Sequence, residues 1–351
     1  MNTMDHTPTV FTPESGEAFL KAHKSVELLD VFERQLKELY FIENGEFIGS
    51  DKEAVYSSAH FEEYKNRKKN EFVYIYYPWL NRCVKSVTSD PYFELITNRN
   101  RDLVTPEEQK RLYDEKIAVF GLSVGSNIAY TLVQSGISRE ITIADYDELD
   151  TTNLNRLPAG LPLVGVNKSV IAARRMYENN PFLTVHVLDH GISIEGLSEM
   201  LEAKKITMIF EEIDNIGLKM EIRKIAKKYK VPVLMITDNA DGVILHIERY
   251  DLGYDQFFGK PEQYWNEKLS NIKSLSDIGA LILEDIIGGE EHVHPRVTKS
   301  VEKVLNRELI SWSQLGTAAL LGGVVGTVAV KHIISHNDTR KYVHERIDIK
   351  L

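Results

Sequence analysis

Between Lys116 and Ile236 short apolar runs alternate with longer amphipathic stretches, and this alternation constrains the fold more than any other feature of the chain. Strands are predicted at Ile117–Phe120, Ile141–Ala144, Thr184–Leu188, Thr207–Phe210 and Val233–Ile236. Helices are predicted between them, near Ser126–Gln134, Lys168–Glu178, Leu197–Ala203 and Lys219–Tyr229. Strands that are apolar throughout, not alternating, are strands covered on both faces. The predicted class is therefore α/β: a doubly wound, mostly parallel, Rossmann-like sheet. Val243–Arg249 alternates in character and is expected to add an antiparallel strand.

The flanks read differently. Residues 1–20 look like a loose arm. Val26–Leu39 reads as helical, Phe61–Asn70 as a charged helix and Phe72–Tyr77 as an aromatic strand. Residues 1–96 are thus expected to form an α+β accessory region, and 97–351 the nucleotide-binding domain. Thr105-Pro106-Glu107-Glu108 marks a helix start: Thr105 can cap, Pro106 suits the first position and Glu108 can complete a capping box. Residues 252–310 are polar and irregular, with helical pieces.

A chain of 351 residues allows one large domain or two. Its net charge of −10 argues against a general binder of nucleic acid or anionic membrane, so neither is expected as a partner. Its one cysteine, Cys83, excludes an internal disulfide and a four-cysteine zinc site. The N-terminus lacks a basic segment followed by an apolar run, and a cytoplasmic protein is expected. Leu309–Val330 carries no charge and contains Gly322-x-x-x-Gly326. Its serines, glutamine and glycines favour a buried helix, packed on a sheet or a second subunit, over a membrane span.

The chemistry begins at Gly121-Leu-Ser123-Val-Gly125-Ser126, between the first parallel strand and its helix. Such a turn aims free amides and the positive end of a helix dipole at an anion. Gly121 permits the tight turn and Gly125 the approach of a phosphate. Asp145 ends the next strand, where an acid can accept hydrogen bonds from ribose hydroxyls; Asp147 and Asp150 are helpers or plain loop acids. A dehydrogenase and an ATP-using enzyme fit equally well to this point. Asn153-Leu-Asn155-Arg156 and Lys168 tip the balance, because Arg156 and Lys168 could hold a polyphosphate and stabilise charge at a breaking phosphoanhydride. Asp214-Asn215 follows the fourth strand, and an acid there could hold Mg²⁺. Lys219 and Arg223 would face the pocket or solvent.

The order of glycine turn, Asp-x-Asp, Asn-Leu-Asn-Arg, Gly-x-x-Lys and Asp-Asn over residues 97–335 resembles the ThiF/MoeB-type adenylyltransferases, the superfamily of the ubiquitin-activating enzymes. The resemblance implies ATP and Mg²⁺ as cofactors and adenylation of a carboxylate, with release of pyrophosphate. That carboxylate is usually the C-terminus of a small carrier protein or peptide, or a small acid. It implies that Gly121, Ser123 and Gly125 line the phosphates, Asp145 with Asp147 serves the ribose side, and Asn153, Arg156 and Lys168 contact the phosphate chain. Asp214 would bind the metal, and Arg101 (or Arg99) would reach a neighbouring subunit's ATP. The late glycine-rich helix implies a homodimer. The turn is one residue shorter than the family's usual form, and paired Cys-x-x-Cys motifs are absent.

Two rival readings remain: an NAD(P)-dependent oxidoreductase, which leaves Arg156, Lys168 and Asp214 unused, and a non-catalytic nucleotide-binding scaffold. His292-Val-His294 reads as a polar loop sooner than a metal site. Tyr250–Trp265, rich in aromatics, reads as packing between domains sooner than a lid.

Overall fold

The computed structural model describes residues 5–335 and 338–349. The chain divides into two compact units. One comprises the chain up to Gln109 together with Tyr177–Phe182; the other comprises Lys110–Met176 and the chain from Leu183 onward.

The first unit holds a four-stranded sheet of β1 (Thr9–Phe11), β2 (Glu27–Asp30), β3 (Phe72–Tyr77) and β4 (Arg82–Val87), in the order β1-β3-β4-β2. β3 is antiparallel to both its neighbours, and β2 runs parallel to β4. An aromatic core of Phe32, Tyr40, Phe61 and Tyr64 fills it. Two expectations are corrected here. The arm contains β1 and a helix, Pro13–Ala22, started by Thr12, whose hydroxyl accepts the Ser15 amide; residues 1–4 lie outside the described residues. Val26–Leu39 is not one helix: Glu27–Asp30 is an edge strand exposed along its length, and the helix runs Phe32–Glu43. The capping box forms as expected. The Thr105 amide donates to Glu108 Oε2 at 2.9 Å and the Glu108 amide to Thr105 Oγ1 at 3.2 Å.

The second unit is built on β5 (Lys116–Phe120), β6 (Glu140–Ala144), β7 (Thr184–Leu188), β8 (Met208–Glu211), β9 (Val233–Asn239), β10 (Gly242–Glu248) and β11 (Tyr342–Ile347). Their order is β11-β10-β9-β8-β5-β6-β7. The strands from β9 through β7 are parallel, and β10 and β11 extend the sheet antiparallel. The chain moves outward from β5 through β6 to β7, then crosses back to β8 on the other side of β5. This reversal opens a crevice at the carboxyl ends of β5 and β8, where open α/β sheets take ligands.

Helices cover both faces, so the middles of β5, β8 and β9 are apolar and buried, with polar residues only at their ends. On one face Leu197, Leu201, Met220, Ile222 and Ala226, from helices Ile194–Glu202 and Ile216–Tyr229, pack with Phe120, Tyr250, Phe257 and Trp265. The Tyr250–Trp265 aromatics therefore pack inside this unit, not between domains. On the other face helix Gly316–Ile334 lies against helix Gly125–Gln134. Its glycines permit the approach: a Cβ at Gly323 would stand 2.8 Å from the Asn127 carbonyl oxygen, and one at Gly326 3.0 Å from the Phe210 ring. The helix starts later than expected, and by length and composition it could cross a membrane; half of its most apolar window is buried in the fold. The helical pieces expected in 252–310 are Glu262–Ser270, Leu275–Leu281 and Pro295–Leu305.

Candidate active site at the carboxyl edge of the sheet

The glycine turn closes the carboxyl end of β5. Gly121 has φ +87°, and a side chain there would meet the Glu212 carbonyl oxygen at 2.4 Å. Only glycine fits, because its backbone conformation and the adjoining chain both exclude a Cβ. Gly125 is different. A Cβ there would stand 2.8 Å from Val119 Cγ1, so the glycine serves close packing of helix on strand. The Leu122 amide does not point free: it donates to Asp145 Oδ2 at 2.7 Å.

Asp145 thus braces the turn from β6. Its second oxygen accepts the Asp147 amide at 2.8 Å. Burial pushes its carboxyl up, opposed by those two amides. Asp147 pairs with Lys168 (2.8 Å), whose side chain is almost fully buried. Lys168 also lines, with Ser126, Tyr130, Leu157 and Arg175, a small cavity beside the turn. Asn167 caps the helix that follows: its Oδ1 accepts the Ser169 amide at 2.8 Å, while its Nδ2 donates to the Asp145 carbonyl. An asparagine just before an amphipathic run is a cap signal that the sequence carried.

Arg156 reaches the turn from the other side. Its Nε donates to Ser123 Oγ at 3.0 Å, and Nη1 donates to the Thr152 carbonyl and Asn155 Oδ1. Asn127, on the helix after the turn, holds the Arg156 carbonyl at 2.9 Å. Asn153 is buried and internal, its Oδ1 accepting the Asp150 amide at 3.1 Å. Asn155 Nδ2 donates to the Gln314 carbonyl, tying this loop to the start of the late helix.

Asp214 is exposed just beyond β8. Burial lowers the Arg156 guanidinium from its ordinary value, while the charges of Asp238 and Asp214 oppose that shift. Asp238 lies near the end of β9. Burial pushes its carboxyl up to about 6 against the pull of Arg156. One of its oxygens is buried with no hydrogen-bond partner. Nothing local in Ile-Thr-Asp-Asn marks it; its place follows from the order of the strands. Among the described residues no group of three His, Cys, Asp or Glu side chains could hold a metal. Asp214 fits Mg²⁺ as one carboxylate ligand to an ion that takes its other oxygens from phosphate and water.

The structure therefore brings together Gly121, Ser123, Gly125, Asp145, Asp147, Asn153, Arg156, Lys168 and Asp214 in one unit. Arg101 belongs to the other unit, where its guanidinium pairs with Glu94 at 2.8 Å. Arg223 is wholly buried and Lys219 largely so, and both pair with Glu211. His294 caps its own helix.

A glycine turn, a strand-end acid and a cation bridging to the turn converge at the switch point of an α/β sheet, where open sheets of this class take ligands. The ThiF family matches residues 97–345, and the chain belongs to that family. An uncharacterized protein of Mycobacterium tuberculosis is 33% identical over 260 residues, 74% of this chain and 35% of the relative. The tRNA threonylcarbamoyladenosine dehydratase of Haemophilus influenzae is 35% identical over 136 residues, 38% of this chain and 51% of that protein. The chain thus spans between about a third and a half of these relatives' lengths. The Escherichia coli tRNA N6-threonylcarbamoyladenosine dehydratase, solved in complex with AMP, shares the fold with a TM-score of 0.52 and 20% identity, covering 72% of this chain and 98% of that one.

Proposed function

We propose that this chain is an ATP-dependent adenylyltransferase that activates a carboxylate as an acyl adenylate. The observation that carries the reading is the Arg156–Ser123 hydrogen bond, which sets a guanidinium over the glycine turn and the start of helix Gly125–Gln134. A cation and a helix N-terminus converging on one crevice suit a polyphosphate.

In this reading the ribose lies toward Asp145 and the triphosphate runs between the turn and Arg156. A substrate carboxylate oxygen bonds to the α-phosphorus, the α–β phosphoanhydride breaks, and pyrophosphate leaves with the electron pair. No general base is needed, since a carboxylate is already ionised near neutral pH. Arg156 and Lys168 stabilise charge on the departing phosphates; Lys168 does so after exchanging its contact with Asp147 for a phosphate oxygen. Mg²⁺ at Asp214, when bound, neutralises phosphate charge. The chain's own contribution is chiefly position and electrostatics.

The substrate is read as the C-terminus of a small carrier protein or peptide, or a small acid, met in the cytoplasm. Cys83 is fully buried and its thiol is pushed up to about 11, so it is no acceptor for the adenylate. The acyl group passes to a nucleophile on another molecule. Two of the compared proteins are named for a modified tRNA, so a tRNA-borne carboxylate belongs in the substrate panel despite the net charge of −10.

The test is a binding comparison of ATP with NAD, followed by pyrophosphate–ATP exchange across that panel. ATP binding and exchange with one carboxylate class support the reading. Tight NAD binding without a response to ATP would replace it with an oxidoreductase, and ATP binding without exchange on any substrate with a nucleotide-binding scaffold.

A further inference from the structure

Beneath the Asp214 turn lies a buried ionic chain. Glu211, the last residue of β8, accepts Arg223 Nη1 at 2.7 Å, Lys219 Nζ at 3.1 and 3.2 Å, and the Ile213 amide at 2.8 Å. Arg223 Nε continues to Glu248 Oε2 on β10 at 2.6 Å. Glu248 Oε1 in turn accepts the Phe258 amide at 2.8 Å, and the Phe258 ring lies over the guanidinium at 3.9 Å. The side chains of Glu211, Arg223 and Glu248 are wholly buried. Burial alone would push the Glu211 carboxyl up; the Lys219 and Arg223 charges outweigh it and hold the group below the usual carboxylate range.

Buried ion pairs rarely add net stability over apolar residues of the same shape. This one holds a turn of the site. The amide taken by Glu211 belongs to Ile213, the residue before Asp214. The Glu212 carbonyl between them is the atom that a Cβ on Gly121 would strike. One carboxylate therefore anchors the turn that carries Asp214 and that also walls the glycine turn. The anchor is itself held through Arg223 and Glu248 by the backbone at Phe258.

We propose that Glu211, Arg223 and Glu248 are positioning residues: together they couple the Phe257–Lys260 turn to the Glu212–Asp214 turn and set the latter for nucleotide binding. What the turn does rests on the adenylyltransferase reading. That the relay sets it does not.

The test uses hydrogen exchange and ATP binding on the whole chain carrying Glu211→Gln or Glu248→Gln. Glu211→Gln should speed amide exchange in 212–215 about tenfold while helix Ile216–Tyr229 keeps wild-type protection, and should weaken ATP binding by about tenfold, the effect of one lost charge-assisted hydrogen bond. Glu248→Gln, which touches neither the turn nor the nucleotide crevice, should shift the same amides in the same direction. A merely structural role predicts instead a lower melting temperature with exchange raised throughout, or 212–215 unchanged. Either result overturns the proposal. Should the variants fail to fold, the wild type decides: ATP should slow exchange in 212–215 and 257–260 together, and protection of the first without the second contradicts the relay. If the wild type binds no ATP, the functional reading fails, and the exchange in Glu211→Gln still decides whether the relay holds the turn.

Discussion

Asp238 carries electrostatic strain beside Arg156. Its carboxyl sits at the end of β9 with one oxygen buried and unpartnered, and its native value of about 6 lies above the unfolded value near 4. A raised value means that the protonated form fits the fold. The associated stability is present below about pH 4 and is lost as pH rises through about 6. Asp238→Asn should therefore match the wild type at pH 4 and exceed it above pH 6.5, by up to about 2–3 kcal/mol. Denaturant unfolding across that range checks it, and equal stability at all pH values would show that Asp238 is well solvated. A buried carboxylate kept at this cost beside Arg156 is what the proposed phosphate site would call for. At this scale the sequence was partly legible. The identities and order of Gly121, Asp145, Arg156 and Asp214 pointed to one crevice. Asp238, Asn127 and the inward course of Lys219 and Arg223 could not be read, because their partners, Arg156, Glu211 and Glu248, lie on other elements that only the fold brings beside them. A Lys and an Arg four residues apart on a helix look solvent-facing until β8 and β10 supply Glu211 and Glu248.

Among the elements, helix Gly316–Ile334 tests the balance of propensity against packing. Gly323→Ala should gain about 1 kcal/mol of helix propensity. The new Cβ would stand 2.8 Å from the Asn127 carbonyl oxygen and the Thr131 hydroxyl, and backbone cannot yield cheaply; overpacking costs about 1–3 kcal/mol. A net loss of stability is expected in thermal unfolding, whereas a stabilised Gly323→Ala would mean that the two helices stand further apart. The parallel strands were legible because short, fully apolar runs between turn residues have few alternatives in an α/β chain. The edge strand Glu27–Asp30 was not, since it is exposed on both faces and has no period of two to show. The helix at Pro13–Ala22 carries at Thr12-Pro13 the same start signal as Thr105-Pro106, but on a short arm with few apolar residues to give it a period.

For the whole molecule, the outer side of the late helix leaves Leu320, Val324 and Val328 exposed at four-residue spacing, with Ile310, Trp312 and Leu315 exposed in the chain leading to it. The glycine side of the helix is spent within the chain, so the expected homodimer would use this apolar strip. Leu320→Glu combined with Val324→Glu should convert a dimer to a monomer in light scattering while leaving the fold intact. A wild type that is monomeric at high concentration would remove the dimer from the account.

If this crevice breaks a phosphoanhydride in response to a carboxylate, pyrophosphate–ATP exchange run with the activating carboxylate on wild type and on Arg156→Ala will show it. Exchange in the wild type should depend on the carboxylate, and Arg156→Ala should lose roughly a thousandfold or more, by analogy with arginines that stabilise phosphoryl transfer. Exchange that proceeds undiminished without Arg156 would contradict it.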